Sequence, residues 1–244
     1  MLKTRTTCVA ETRVIPFPFE FSILRSRRRS ISIEVQAAQV RVRAPQQVAE
    51  SVLHDFLREK TPWVLQKIDE QRQALAAIPQ HTYIAGSSLP YLGRDISLVI
   101  GSGSAGRVVL HDQQLHVLLS HRRRMSAPEQ TRRLVQGWYQ QQALKLLTAK
   151  TDQLCQAMGL QHTGVSIRAT RTKWGHCTSR GAIQYNWQII LAPEPIVDYL
   201  VAHEVSHLRH HNHSRAFWQL VESVCPDYAR CRAWLKANGQ QLVL

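Results

Sequence analysis

Two histidines four residues apart, His203 and His207, lie in a stretch whose apolar residues recur with helical spacing. An amphipathic helix over residues 194–211 is predicted by the apolar positions Val197, Leu200, Val201, Val205 and Leu208. Side chains at positions i and i+4 of a helix project from the same face, so the two imidazoles can hold a single ion. The chain therefore needs a fold that buries one side of this helix and leaves the histidine side accessible.

Glu204 lies between the two histidines and is displaced around the helix, where a carboxylate can take a proton from a metal-bound water. We expect Zn²⁺, because neutral imidazoles suit zinc and a catalytic zinc keeps three protein ligands and an open position. His213 is the best candidate for the third ligand, since it follows Asn212, which can end a helix in a left-handed turn. The alternatives are His210, His211 and, more weakly, Glu222.

The sequence before residue 125 carries patterns typical of both β-strands and helices. Residues 30–43 alternate apolar and polar side chains, which predicts a β-hairpin. Residues 46–75 have helical periodicity interrupted at Thr61-Pro62, which predicts two short consecutive helices. Residues 82–119 carry glycines between short β-prone runs and predict a small antiparallel meander.

Beyond residue 125 a long helix is predicted from a Ser126 cap to Met158, ended by Gly159. Two strands should follow, and the one through residues 183–191 could be an edge strand that holds an extended peptide. We place a soft boundary near residue 125. It separates a mixed α/β N-terminal part, residues 1–125, from a catalytic part, residues 126–244, although one continuous domain is also compatible with the sequence.

The chain is unusually basic, with 31 Lys and Arg against 17 Asp and Glu and a formal net charge of +14. This charge is compatible with an anionic partner, nucleic acid or nucleotide, and equally with a solvated basic surface. An anion would bind at the arginine clusters, which are Arg25 with Arg27–Arg29, Arg122–Arg124, and Arg132 with Arg133. Five cysteines without a CxxC pair indicate reduced thiols. With neither a signal peptide nor an apolar run long enough to span a bilayer, the expected location is cytoplasmic and no membrane partner is expected.

Two blocks, TRTKWGHCTSRGAIQYNWQIILAP at residues 170–193 and DYLVAHEVSHLRHHNHSRAFW at residues 198–218, resemble the YgjP-like or WLM-type zinc metallopeptidases, relatives of the SprT-like proteases. Shorter segments near residues 25, 91 and 138 extend the resemblance over most of the chain. It implies an α+β fold with a zincin-like metallopeptidase domain. It also implies that the HExxH helix and the histidine of an NHS segment supply the zinc ligands, which here are His203, His207 and His213.

The chain departs from the family in the first block, where the usual RWGSC run stands as Lys173-Trp174-Gly175-His176-Cys177. This departure concerns substrate choice more than metal binding. The expected substrate contacts are Arg171, Lys173, His176 and Asn186, and the role of Cys177 stays open.

The function predicted first is peptide-bond hydrolysis, with a polypeptide as the substrate and Glu204 as the general base. A metal-dependent nucleoside triphosphate pyrophosphatase is the alternative, in which basic side chains would neutralise phosphate charge, although the chain has no glycine-rich phosphate loop. A third reading is a DNA-associated protein with a structural metal, for which a fourth ligand would be needed.

Overall fold

The computed structural model describes residues 17–122, 125–170 and 172–244. The chain divides into two compact units, Met1–Ile78 and Pro79–Leu244. None of the helices in the described ranges has the length and apolar character that crossing a membrane requires.

The first unit is a three-stranded sheet with one helix. Its elements are β1 Phe21–Ser26, β2 Ser32–Gln36, β3 Gln39–Pro45 and α1 Glu50–Ala76. Strands β2 and β3 form the predicted hairpin, and β1 pairs in parallel with the other edge of β3. Every second residue of β3 is buried, at Val40, Val42 and Ala44, so the core of this unit lies on one face of the sheet, where α1 packs.

The prediction of two short helices was wrong, because α1 continues through Pro62. A proline inside a helix costs about 3 kcal/mol. Against that cost, the helix buries four aliphatic side chains on one stripe, and burying such a side chain stabilises the fold by about 1.5–3 kcal/mol. These side chains are Leu53, Leu57, Val64 and Ile68. Burial on both sides of the proline therefore outweighs the local break.

Arg25, one of the clustered arginines, is used within the fold. Its Nη1 donates to the backbone carbonyls of Pro45 at 3.3 Å, Gln46 at 3.2 Å and Val48 at 2.7 Å. The guanidinium thus ties the segment after β3 to β1. Within the cluster at residues 122–124, Arg123 and Arg124 lie outside the described residues.

The second unit contains a four-stranded sheet, a long helix, a three-stranded sheet and three shorter helices. Its elements are β4 Ser88–Tyr91, β5 Arg94–Gly103, β6 Arg107–His111, β7 Gln114–Ser120, α2 Ala127–Met158, β8 Gly164–Arg168, β9 Gly175–Cys177, β10 Ala182–Asn186, α3 Glu194–Ser206, α4 Arg215–Val224 and α5 Tyr228–Asn238, with short 3-10 helices at Trp187–Leu191 and Gly239–Gln241.

The four-stranded sheet has the order β4-β5-β7-β6, and its central pair, β5 and β7, is parallel. The predicted antiparallel meander is therefore correct only for the pairs β4–β5 and β6–β7. This sheet shares one apolar core with α2, and the Tyr139 hydroxyl donates to the carbonyl of Pro90 at 2.8 Å. Residues 79–125 consequently belong with the second unit, and the division falls after Ile78 rather than near residue 125.

Helix α2 has the predicted ends, with Ser126 at its N-cap and Gly159 at its C-cap in the left-handed conformation, φ 61°. The three-stranded sheet has the order β8-β10-β9. The predicted edge strand over residues 183–191 was wrong in two respects. Strand β10 is central, and it ends at Asn186, whose side-chain oxygen accepts from the backbone N–H of Gln188 at 3.1 Å and so caps a 3-10 helix. The edge strands of this sheet are β8 and β9.

Candidate metal centre

Helix α3 positions the first metal-ligand candidates. Pro193 precedes it, and its apolar side packs into the core of the second unit. The helix ends at Ser206, earlier than the predicted residue 211, so that His203 and Glu204 lie in its last turn and His207 is the C-cap residue. His207 keeps helical backbone angles, φ −66° and ψ −17°, and its ring therefore stays one turn beyond that of His203.

The chain returns to this helix end through the loop 207–214. Asn212 does not adopt the left-handed conformation expected from the sequence. Its side-chain oxygen instead accepts from the backbone N–H of Ser214 at 3.3 Å, and Ser214 caps α4 by accepting from the N–H of Phe217 at 3.4 Å. This double cap directs the intervening residue, His213, back toward α3.

The ring nitrogens of His203, His207 and His213 converge, with one nitrogen of each lying within 4.8 Å of the others. The Nε2 atoms of His203 and His213 are 3.1 Å apart. Two nitrogens bound to one tetrahedral zinc at about 2.0–2.1 Å are separated by roughly 3.3 Å. The donor set therefore fits a zinc ion in chemistry, and the spacing of His203 and His213 is close to that of two zinc ligands.

The other candidates for the third ligand do not place a side chain in the three-histidine cluster. His210 contributes its backbone carbonyl, which accepts from Nδ1 of His207 at 2.9 Å. A bond of this kind fixes the tautomer of a ligating histidine and leaves its Nε2 free for a metal. His211 and Glu222 are exposed, and neither is part of the three-histidine cluster.

Burial favours the neutral form of two histidines of the cluster, His203 and His207. It lowers the pKa of His203 to about 3, and the nearby His207, His213 and Arg232 act in the same direction. The pKa of His207 is lowered as well, again mainly by burial. Because metal ligation requires the unprotonated imidazole, these two side chains are ready to bind a cation at neutral pH.

Glu204 is buried beside the cluster, with 3% of its surface exposed. Burial raises the pKa of its carboxyl to about 8, and the positive charge of Lys173 opposes the shift. Its Oε2 atom is enclosed and makes no hydrogen bond within the described part of the chain. A buried carboxyl oxygen without a partner indicates a group kept available for a ligand or a water.

Gly175 makes room for this carboxyl. A Cβ atom built at Gly175 would lie 2.5 Å from Cδ and 2.6 Å from Cγ of Glu204. Gly175 begins strand β9 and pairs with Tyr185. Only the close approach of β9 to α3 explains the glycine, and a single sequence contains no signal for that contact.

The predicted substrate contacts have different outcomes. Lys173 and His176 are exposed, and both act electrostatically on the site, Lys173 on Glu204 and His176 on His207. Asn186 is buried and is used within the fold, since its Nδ2 donates to the carbonyl of Thr170 at 3.0 Å and its Oδ1 caps the 3-10 helix. Arg171 lies outside the described residues.

Cys177 is half-buried on β9, and its thiol donates to the carbonyl of Thr178 at 3.5 Å. Burial raises the pKa of this thiol to about 11, and the carboxyl of Glu204 adds to the shift. A thiol of this kind is protonated at neutral pH and is a poor nucleophile. Cys177 therefore lacks the lowered pKa that is typical of a reactive cysteine.

A sequence model of the YgjP-like family, described as a metallopeptidase domain, matches residues 29–238. The chain belongs to the YgjP-like family. This membership confirms the resemblance seen in the sequence and indicates a metallopeptidase-type hydrolase.

Among curated relatives of this YgjP-like chain, the UTP pyrophosphatase of Escherichia coli (strain K12) is 34% identical over 90 residues. The match covers 35% of this chain and 51% of the relative, so the chain spans about half the length of that protein. A crystal structure of the metallopeptidase zymogen of Pyrococcus abyssi abylysin is 24% identical and covers 37% of this chain and 93% of its own, with a TM-score of 0.33. The expected nucleic-acid partner gains no support from these comparisons.

Proposed function

We propose that this chain is a zinc-dependent hydrolase that cleaves peptide bonds with a water activated by Glu204. The observation that carries the proposal is the convergence of three histidine ring nitrogens, within 4.8 Å of one another, at the helix end that also holds this buried carboxyl. His203, His207 and His213 would hold the zinc. A bound zinc would polarise the scissile carbonyl and lower the pKa of a water.

The chain's own part in the reaction is proton transfer. Glu204 takes a proton from the attacking water and later gives it to the leaving amine, so that the carboxylate is regenerated in each cycle. A general base works best when its pKa lies near the working pH, and burial raises the pKa of this carboxyl to about 8. Lys173 keeps the charged form accessible by opposing that shift.

A polypeptide substrate is supported by the family membership and by strand β9. This strand is an edge of its sheet and packs against α3, and its central residue His176 is exposed. An extended peptide can add to such an edge through backbone hydrogen bonds. The edge strand anticipated in the sequence would thus be β9 rather than residues 183–191.

A nucleoside triphosphate is the second candidate substrate, and one observation favours it. The curated relative from Escherichia coli is named a UTP pyrophosphatase. The same three-histidine cluster could then act on a phosphoanhydride, and Lys173 and His176 could neutralise phosphate charge. A purely structural metal has less support, because such sites are usually closed by four protein ligands and this cluster has three among the described residues.

The test compares wild type with Glu204→Gln on unfolded proteins and on UTP, with zinc content measured on the same samples. The matched control is Glu222→Gln, which changes an exposed carboxyl on α4. We expect Glu204→Gln to lower turnover by at least about 100-fold and to keep its zinc, since a positioned general base contributes roughly 10²–10⁴-fold. Cleavage of protein alone supports the peptidase, consumption of UTP alone supports the second candidate, and undiminished turnover removes Glu204 as the base.

A further inference from the structure

The third histidine of the cluster is held differently from the second. His207 is half-buried, and its Nδ1 is fixed by the carbonyl of His210 at 2.9 Å. His213 is exposed, it lies on a loop, and the described residues provide no comparable hydrogen bond to its Nδ1. Some other contact must orient this ring, because a free histidine side chain samples several rotamers.

Ring stacking supplies that contact. The imidazole of His213 stacks on the indole of Trp218, with ring centroids 5.7 Å apart and planes inclined by 27°. Trp218 in turn stacks on Tyr228 of α5, at 5.3 Å and 21°. The guanidinium carbon of Arg232, one turn further along α5, lies 4.8 Å from the centroid of the Trp218 ring. The indole is thus held by two side chains of a helix outside the histidine motif.

Phe217, the neighbour of Trp218 in the first turn of α4, supports the other ligand in the same way. It is completely buried and stacks on His207 at 4.5 Å and 29°. Its ring also meets those of His203 and His213 edge-on, at 5.0 Å and 4.9 Å. Phe217 therefore contacts all three histidines. Trp218 stacks on His213, lies 5.7 Å from the ring of His203 in a tilted arrangement, and also stacks on Tyr228 of α5.

We propose that Trp218, held in place by Tyr228, is a positioning residue that fixes the imidazole of His213 for metal binding. Helix α5 thereby sets the metal affinity of a site to which it contributes no ligand. The inference rests on the proposed zinc site. Removing a group that orients a metal ligand without touching the metal itself typically weakens metal binding by about 10–100-fold. We expect a loss in this range when the stack on His213 is broken.

The experiment measures Zn²⁺ affinity by competition with a chromophoric chelator, together with the absorption spectrum of the Co²⁺-loaded protein. Trp218→Leu should weaken Zn²⁺ binding by about 10–100-fold and alter the Co²⁺ spectrum. Trp218→Phe keeps an aromatic face and should restore most of the affinity. Tyr228→Leu should give a smaller loss of Zn²⁺ affinity, and this variant serves as the test if Trp218→Leu fails to fold.

The control is Trp63→Leu, which replaces an exposed tryptophan of the first unit. Arg232 is a poor probe, because its removal also deletes a positive charge near the cation.

A double substitution separates positioning from general damage. In a His213→Ala background the third imidazole is absent, and Trp218 keeps only its tilted contact with His203, with ring centroids 5.7 Å apart. Trp218→Leu should therefore cause a much smaller loss of the remaining Zn²⁺ affinity there than in the wild type. An equal loss in both backgrounds would overturn the inference, as would unchanged affinity in Trp218→Leu or a Trp218→Phe variant as weak as Trp218→Leu. If the wild type itself binds no Zn²⁺, the proposed metal site is at fault rather than the role of Trp218.

Discussion

Replacing Gly175 by alanine should impair Glu204 while sparing the metal. The added Cβ would lie 2.5–2.6 Å from two carbons of the Glu204 side chain, whereas carbon atoms in contact are about 3.5 Å apart. The carboxyl must therefore retreat by about 1 Å, and it has little free space because it is 3% exposed. Misplacing a reacting group by about 1 Å costs roughly 100-fold in rate. We expect kcat to fall by about that factor and stability to fall by about 1–3 kcal/mol from overpacking.

The assay measures kcat on the substrate that the wild type cleaves, zinc content, and thermal unfolding. Gly137→Ala is the matched control, because a Cβ at this position in α2 meets nothing within 4 Å. It should leave kcat unchanged. In a Glu204→Gln background Gly175→Ala should have no further effect on kcat, since the group it displaces is already inactive. A Gly175→Ala variant whose kcat lies within about threefold of wild type, or that loses its zinc, would contradict the predicted clash with Glu204.

Three other outcomes follow from the structure. Treatment with a chelator should abolish turnover, and adding Zn²⁺ should restore it. Turnover that survives complete metal removal would contradict the role assigned to the three histidines. Lys150 of α2 forms ion pairs with two half-exposed carboxylates of α3, Glu194 at 2.8 Å and Asp198 at 2.6 Å. Lys150→Ala should therefore lower the free energy of unfolding by about 0.5–1 kcal/mol without changing zinc content. Chemical denaturation measures the loss, and an unchanged midpoint would show that the ion pairs contribute nothing. Burial raises the pKa of Glu204 from 4.5 to about 8, so between these pH values the metal-free folded state holds a proton that the unfolded state has lost. The stability of the metal-free protein should therefore fall as the pH rises through this range. Glu204→Gln should lessen the fall, and identical pH profiles of the melting temperature for the two proteins would contradict the raised pKa.

Features set by local spacing were predicted well from the sequence. The i, i+4 spacing of His203 and His207 and the ends of α2 at Ser126 and Gly159 depend on neighbours a few residues away, although the Ser126 side chain makes no capping hydrogen bond. The choice of His213 agrees with the geometry of the cluster, although the reason given for it was wrong, since Asn212 acts through its side chain and not through a left-handed turn.

Features set by distant contacts were not predictable from the sequence. The parallel pairing of β5 with β7 and the central position of β10 depend on which strands meet in space. Pro62 breaks a helix locally, but burial of the stripe on both sides of it keeps α1 continuous. The need for glycine at position 175 comes from contact with the carboxyl of Glu204, which lies 29 positions later in the chain. The role of Trp218 likewise depends on its contacts with Tyr228 and His213.

The most direct test of the central claim is the zinc content per chain of wild type, His213→Ala and His211→Ala. His211 is the matched control, because it lies two positions from His213 and is exposed but outside the cluster. We predict one zinc per chain in wild type and in His211→Ala, and little zinc in His213→Ala. A wild type without zinc, or zinc that is lost with His211 and kept without His213, would contradict that claim.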